Sequence, residues 1–241
     1  MKYAFVTGST KGIGKAIGLK LLQEGYFVVF NYSNSEESAE HLKAEISVLY
    51  SDHFSILKAD LSDLNQVEIV ATQLRQLLPK IDLLVFNAGL TDRSPLGEVK
   101  QKDWLSVFNA NVNVPFFLLQ ELVPNITKGG NIIFIGSMLG NIPHSASISY
   151  GVTKSAIHSL VKNMVKFLSQ DKIRINAIAP GFVDTDWQKD KPEWLREKIK
   201  SKIALKRFAK EEEVANICHQ ITQNEYLTGQ VIQLDGGYNY E

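Results

Sequence analysis

The segment SYGVTKSA, residues 149 to 156, sets a phenol and an ammonium four positions apart in a stretch of helical pattern. Four residues is about one helical turn, so Tyr150 and Lys154 share a face. A tyrosine with its usual pKa near 10 is a poor proton donor or acceptor at neutral pH, and a close cation favours its charged form. Bringing that pKa toward 7 needs a shift of roughly 3 units, about 4 kcal/mol of differential stabilisation. An isolated Y-x-x-x-K is also the pattern of an inert surface pair. The residues around it must decide.

A second constellation lies at the start of the chain, in TGSTKGIGKAIG, residues 7 to 18. Gly8, Gly12 and Gly14 allow a tight turn and close approach to a pyrophosphate, while the next helix offers unpaired N–H groups and a positive dipole end. Their spacing, G-x-x-x-G-x-G, differs from the general dinucleotide fingerprint, but the run follows a strand and opens a helix. Ser9, Lys11 and Ile13 belong to the same loop. At the end of the second strand an acid would accept from a ribose 2′-hydroxyl and favour NAD. The chain instead has Asn31, Tyr32 and Ser33, all uncharged. Glu36 and Glu37 follow, but Ser35 makes a good N-cap, and acids in a first helical turn need no other reason. Lys11 supplies charge for a 2′-phosphate, or is simply a solvated loop lysine. NADP(H) is the expected cofactor.

The elements that must position these residues alternate along the chain. Strands are expected at 3–7, 27–31, 54–60, 82–86, 131–137, 173–180 and 230–235, with helices at 13–24, 36–49, 63–78, 103–123, 150–169 and 211–223. Nearly continuous apolar strands joined by crossover helices imply a parallel sheet covered on both faces. The expected fold is α/β: one Rossmann-type, doubly wound domain over 1–241, of about seven strands, with ligands at the carboxyl ends of the strands. The polar and basic insertion at 184–210 interrupts this rhythm and is expected to be a substrate lid.

Composition narrows the class further. With 26 basic and 26 acidic residues, nothing points to nucleic acid or to a membrane surface. No apolar run approaches a membrane span, and the N-terminus turns polar too soon for a signal peptide. Cys218 is the only cysteine, which excludes an internal disulfide and fits a buried helical thiol. The five histidines lack ligand spacing, so no metal is expected. His144 lies between Ser137 and Tyr150, as an ordinary loop histidine or a substrate contact. A cytoplasmic, soluble protein is expected.

Taken in order, TGSTKGIG, FNAG (86–89), Asn111, Ser137, YGVTK (150–154), PGFVDT (180–185) and TGQVIQLDGG (228–237) resemble the short-chain dehydrogenases/reductases. Within them the chain is most similar to the 3-oxoacyl-(acyl-carrier-protein) reductases of fatty acid synthesis, over essentially its whole length. The resemblance implies that Tyr150 is the general acid, Lys154 its pKa-lowering neighbour, Ser137 the holder of the substrate carbonyl and Asn111 the organiser of a proton-relay water. It also implies that Asp60 and Leu61 line the adenine, Asn87, Ala88 and Gly89 its ribose, and Pro180, Gly181, Val183 and Thr185 the nicotinamide side. A homotetramer is implied as well, and the helices at 103–123 and 150–169 are apolar around much of their circumference.

Some readings hold without the family. Hydride addition to a ketone builds charge on oxygen, which a positioned hydroxyl and a tuned acid both stabilise. IGSMLG around Ser137 lacks the G-x-S-x-G elbow of a hydrolase nucleophile. Pro115 has no N–H for the carbonyl of Asn111, so the helix is expected to bend there, freeing an acceptor for an ordered water or merely kinking a core helix. From Lys189 to Arg207 eight basic residues face three acidic ones, a formal +5, which suits steering of an acidic carrier protein or a coenzyme A arm, or is a solvated helix. Lys128 would add to that face, but Asp171 stands where those reductases often carry a base. The expected activity is NADPH-dependent reduction of a ketone, foremost a 3-oxoacyl thioester. Another small carbonyl (sugar, steroid, xenobiotic) is the alternative, followed by a catalytically silent NADP-binding sensor. The intact set Asn111, Ser137, Tyr150 and Lys154 argues against silence.

Overall fold

Seven parallel strands form one sheet in the order β3-β2-β1-β4-β5-β6-β7. They are β1 (Lys2–Val6), β2 (Tyr26–Tyr32), β3 (Phe54–Lys58), β4 (Ile81–Phe86), β5 (Ile126–Ile135), β6 (Arg174–Pro180) and β7 (Val231–Leu234). The chain is described by a computed structural model over residues 1–143 and 147–238; His144 lies outside the described residues. The expected doubly wound α/β fold is present. The order reverses between β1 and β4, which opens a crevice at their carboxyl ends.

Alternation along the strands builds two core layers. Phe5, Leu84, Ile132 and Phe134 face α3 (Val67–Leu77), α5 (Val114–Leu122) and α6 (Ile148–Leu168). Val6, Val85, Ile133 and Ile135 face the other way, in a layer completed by α1 (Gly12–Gln23), α2 (Glu36–Tyr50) and α9 (Glu211–Gln223). Ser35 caps α2 as expected, accepting from the Ser38 N–H, and Glu36 in the first turn pairs with Lys58 at 2.6 Å. Cys218 is buried and free.

Two expectations need correction, and the insertion gains detail. Strand β5 begins at Ile126 rather than 131, because Ile81 of β4 pairs with Ile126 across a register shift, whereas Gly129 and Gly130 mask the strand in sequence. The expected single helix over 103–123 is α4 (Gln101–Phe108), a π turn (Asn109–Asn113) and α5, with Pro115 in the first turn of α5. The insertion at 184–210 carries two short helices, α7 (Asp186–Lys189) and α8 (Glu193–Ser201).

Helix α1 lies so close on β2 that a Cβ at Gly18 would sit 2.1 Å from Cε1 of Phe30, itself fully buried. Gly18→Ala should therefore destabilise the fold by about 1–3 kcal/mol through overpacking, although alanine is the better helix former. Urea unfolding of the two proteins measures this, and an unchanged midpoint would show that the α1–β2 contact relaxes freely.

Candidate active site

A cleft of about 860 Å³ opens over the carboxyl ends of the strands. Its floor is stitched across the crevice between β1 and β4. The Thr7 hydroxyl accepts the backbone N–H groups of both Asn87 and Ala88 at 2.9 Å. The Asn87 amide returns two hydrogen bonds, to the carbonyls of Thr7 (3.0 Å) and Gly8 (2.9 Å). Gly8 (φ +57°) and Gly12 (φ +62°) hold left-handed backbone that suits glycine, and a Cβ on Gly8 would meet Ala88 Cα at 3.0 Å.

Every residue expected at the nucleotide lines this cleft except Ser9 and Gly14. Ser9 is fully buried; its hydroxyl donates to the Val6 carbonyl (2.7 Å) and accepts from the Asn31 N–H (2.9 Å). Gly14 is buried where a Cβ would meet Asn87 Nδ2 and the Gly8 carbonyl at 2.5 Å. Asn31 touches the cleft, yet its side chain is fully engaged. Its oxygen accepts from the Gly8 N–H (3.0 Å), and its Nδ2 donates to the carbonyls of Leu57 (3.2 Å) and Ala59 (3.1 Å). These three residues shape the loop rather than offer side chains to a ligand. Helix α1 begins at Gly12 with no side-chain cap and no acid in its first turn, and Gly12 and Ile13 line the cleft. Open N–H groups at a glycine turn fit the diphosphate of a dinucleotide.

At the other end of the cleft, Ser137 lies two residues past the end of β5 and caps a short 3₁₀ turn, accepting from the Leu139 N–H at 3.2 Å. Ser147 caps α6 by accepting from the Tyr150 N–H (3.3 Å), which sets Tyr150 in the first turn. One turn later Lys154 is 5% exposed; its Nζ donates to the Ile135 carbonyl at 2.6 Å and lies 5.4 Å from the Tyr150 ring centre. Ser137, Tyr150 and Lys154 thus converge as expected. The direction of the tyrosine's shift does not follow the expectation. Burial pushes the Tyr150 phenol up to about 12, against the opposing effect of its hydrogen bond with Ser137. Burial likewise pushes Lys154 down to about 8. Desolvation decides both shifts, so the protein by itself keeps the phenol protonated at neutral pH.

Asn111 sits in the π turn, where the Val114 N–H bonds to the Asn109 carbonyl five residues back. Its side chain does not line the cleft. The Oδ1 accepts from the Leu90 N–H (2.8 Å), and Nδ2 donates to the Leu90 carbonyl (3.0 Å) and the Thr153 hydroxyl (2.9 Å). The buried side chain therefore fastens the loop after β4 to helix α6.

Thr7, Thr153 and His158 went unnoticed in the sequence, as did Arg93. His158 extends the 150–154 face by one more turn, a spacing that signals its place. Its ring lies under the turns flanking Ser137: a Cβ at Gly136 or Gly140 would come within 2.4 or 2.7 Å of it. Its Nδ1 lies 2.9 Å from Asn141 Oδ1. Over the site, the Trp187 ring meets the Tyr150 ring edge-on, centres 5.9 Å apart, whereas Trp194 is 67% exposed. Ion pairs among the described residues hold four of the eight bases from Lys189 to Arg207. Lys189 pairs with Asp186, Arg196 with Asp184 and Glu193, Lys200 with Glu197 and Glu193, and Arg207 with Glu213. No helix among the described residues is long and apolar enough to cross a membrane.

Comparison with known proteins places this geometry. A family model described as short chain dehydrogenase matches residues 2–196. The 3-oxoacyl-[acyl-carrier-protein] reductase FabG of Staphylococcus aureus is 32% identical over 240 residues, covering 98% of this chain and 97% of the relative. A short-chain dehydrogenase/reductase from Serratia marcescens superposes with a TM-score of 0.91 at 32% identity, over 99% of this chain and 98% of that one. BdcA, solved in complex with NADPH, superposes with a TM-score of 0.89 at 27% identity, over 98% of this chain and 94% of that one.

Burial and the charges of Lys154 and Lys162 lower His158 from its ordinary 6.5 to about 4. Between those values the unfolded chain binds a proton that the folded chain refuses. The contribution to stability is therefore whole above about pH 6.5 and is lost as the pH falls toward 4. His158→Leu should flatten this part of the stability curve, read as urea midpoints from pH 7 to 4. Parallel curves for parent and variant would place the acid sensitivity elsewhere.

Proposed function

This chain belongs to the short-chain dehydrogenase family, and from that premise we propose that it reduces a ketone to a secondary alcohol with NADPH, foremost a 3-oxoacyl thioester. The observation that carries this reading is the convergence of Ser137, Tyr150 and Lys154 in one cleft with the uncapped, glycine-lined start of α1. The open N–H groups of that helix would hold the diphosphate, Asp60 and Leu61 the adenine, Asn87 to Gly89 its ribose, and Pro180, Gly181, Val183 and Thr185 the nicotinamide side. When bound, the nicotinamide supplies the hydride, and charge develops on the substrate's carbonyl oxygen.

The protein's own groups meet that charge. The Ser137 hydroxyl donates a hydrogen bond to the carbonyl oxygen, and Tyr150 gives it the proton from its hydroxyl. A phenol held protonated at neutral pH suits an acid in reduction. The Lys154 ammonium steadies the phenolate left behind and holds the nicotinamide ribose. Asn111 acts through its main chain, at the irregular turn where Pro115 withholds an N–H, and a water there would return a proton to Lys154 and so to Tyr150. The insertion at 184–210 acts as a lid, with Trp187 closing over Tyr150.

NADPH is favoured over NADH because Asn31 is engaged in the fold and Glu36 is paired with Lys58, so neither acts as a ribose acid. Lys11, Ser33, Asn34 and Ser62 line that end of the cleft. The family resemblance favours a cytosolic homotetramer, consistent with the exposed Leu105, Phe117 and Val152 on α4, α5 and α6. Reduction of another small ketone is the second reading, favoured by the ion pairs within the insertion that leave less charge for docking a carrier protein.

Tyr150→Phe should keep the fold and NADPH binding while lowering turnover at least about a hundredfold, the scale of general acid catalysis. Steady-state rates close to those of the parent would remove Tyr150 from the mechanism.

In the unmodified enzyme kcat/KM should be higher with NADPH than with NADH. Lys11→Glu should weaken NADPH more than NADH, by about tenfold if one charge-assisted contact to the 2′-phosphate is lost. Equal efficiency with both cofactors would refute the preference.

A further inference from the structure

Four cations line the cleft in and around the lid without an ion pair: Arg93 on the loop after β4, Lys191 between α7 and α8, Lys198 on α8 and Lys202 just past its C-terminal end. Among the described residues none of them pairs with a carboxylate. Lys191 is half-buried, and its Nζ donates to the carbonyl of Trp187 at 3.3 Å, the residue whose ring meets Tyr150. It stands at the reacting end.

The carboxylates of the same region are otherwise engaged. Two acids line the cleft, Asp60 and Asp186. Asp60 takes both the N–H and the hydroxyl of Ser62, at the end away from Tyr150 assigned above to adenine, and Asp186 pairs with Lys189 at 2.7 Å. Asp92, next to Arg93, takes the N–H and hydroxyl of Ser94 within its own turn. Asp190 acts favourably on Lys191 but does not line the cleft. Burial and the fields of Arg93 and Arg196 all press Lys191 toward its neutral form. Arg196 is held by Asp184 and Glu193, so the repulsion that no ion pair answers is between Lys191 and Arg93, offset only in part by Asp190. Arg93, Lys198 and Lys202 are exposed, yet two segments bring them with the half-buried Lys191 along one cleft, an arrangement that an anion relieves.

We infer that the ketone this cleft takes carries an anionic oxygen group, a carboxylate or a phosphate, seated between Arg93 and Lys191, with Lys198 and Lys202 drawing it in. The inference rests on the ketone-reductase reading and specifies its substrate class. A planar guanidinium accepts a carboxylate or phosphate through two parallel hydrogen bonds, and an ammonium beside it completes the seat.

The test follows NADPH oxidation by the full chain with three ketones of one acyl group. Acetoacetyl-N-acetylcysteamine is neutral, acetoacetyl-coenzyme A carries phosphates, and acetoacetate carries a carboxylate. At least one charged ketone should exceed the neutral one in kcat/KM by about tenfold, the effect of one charge-assisted contact, and which one does so identifies the group. Arg93→Gln and Lys191→Gln should erase that advantage mainly through KM, with a larger loss for the charged ketone than for the neutral one. Equal use of all three ketones overturns the inference while leaving the reductase reading in place. So does a variant that raises KM for NADPH by the same factor, since the cations would then serve the dinucleotide. If none of the three is reduced, and a wider panel of uncharged ketones is not either, the reductase reading falls and the inference with it.

Discussion

The Lys154 ammonium is buried with no carboxylate beside it among the described residues, and this is the constraint on which the site turns. Among the described residues its hydrogen bond is to the Ile135 carbonyl at the end of β5. Strand β5 ends at Ile135, although the Gly136 N–H still reaches the Ile178 carbonyl of β6 at 2.7 Å. The same burial that lowers Lys154 raises Tyr150, so the pair is held in a low-dielectric enclosure where small charge changes matter. An ammonium in such a place is poised to meet a phenolate, and the phenol is poised to give up a proton only when something nearby carries negative charge.

The surroundings of this pair are rigid for identifiable reasons. Thr153 donates to the Tyr150 carbonyl and accepts from Asn111, which in turn grips both polar groups of Leu90. Thr7 and Asn87 close the adjoining crevice, and Ser9 and Asn31 lock the glycine loop to β2 and β3. Buried polar side chains here are satisfied almost entirely by backbone, which fixes loops that have no strand or helix ladder of their own. Much of what resembles a ligand-binding motif in sequence is thus the carpentry of the binding loop.

The insertion contrasts with this frame. Its charges are mostly paired with one another or with nearby acids on exposed surfaces, where such pairs contribute little and yield readily. It is anchored instead by apolar packing of Ile199, Ile203 and Phe208 against Phe182 and Tyr238. A segment fastened at one apolar cluster and decorated with weak ion pairs is held less firmly than the hydrogen-bonded frame beneath it.

The parallel direction of the strands, the glycine turn after β1 and the shared face of Tyr150 and Lys154 were legible in the sequence, because each follows from local pattern, while Ser137 was read from the family resemblance. Alternation, helix spacing and turn chemistry are properties of neighbouring residues. The start of β5 was not legible, since its first residues are paired by β4 from 45 residues away in the register Ile81 to Ile126. Nor were the π turn at Asn109–Asn113 and the direction of the Tyr150 shift, which depend on packing and enclosure by distant segments. A formal +5 over 189–207 was countable in the sequence, yet which of those cations keep a free charge was decided only by folding. Charge in a sequence is a sum, whereas a field in a cleft depends on which acids the fold brings within reach of each base.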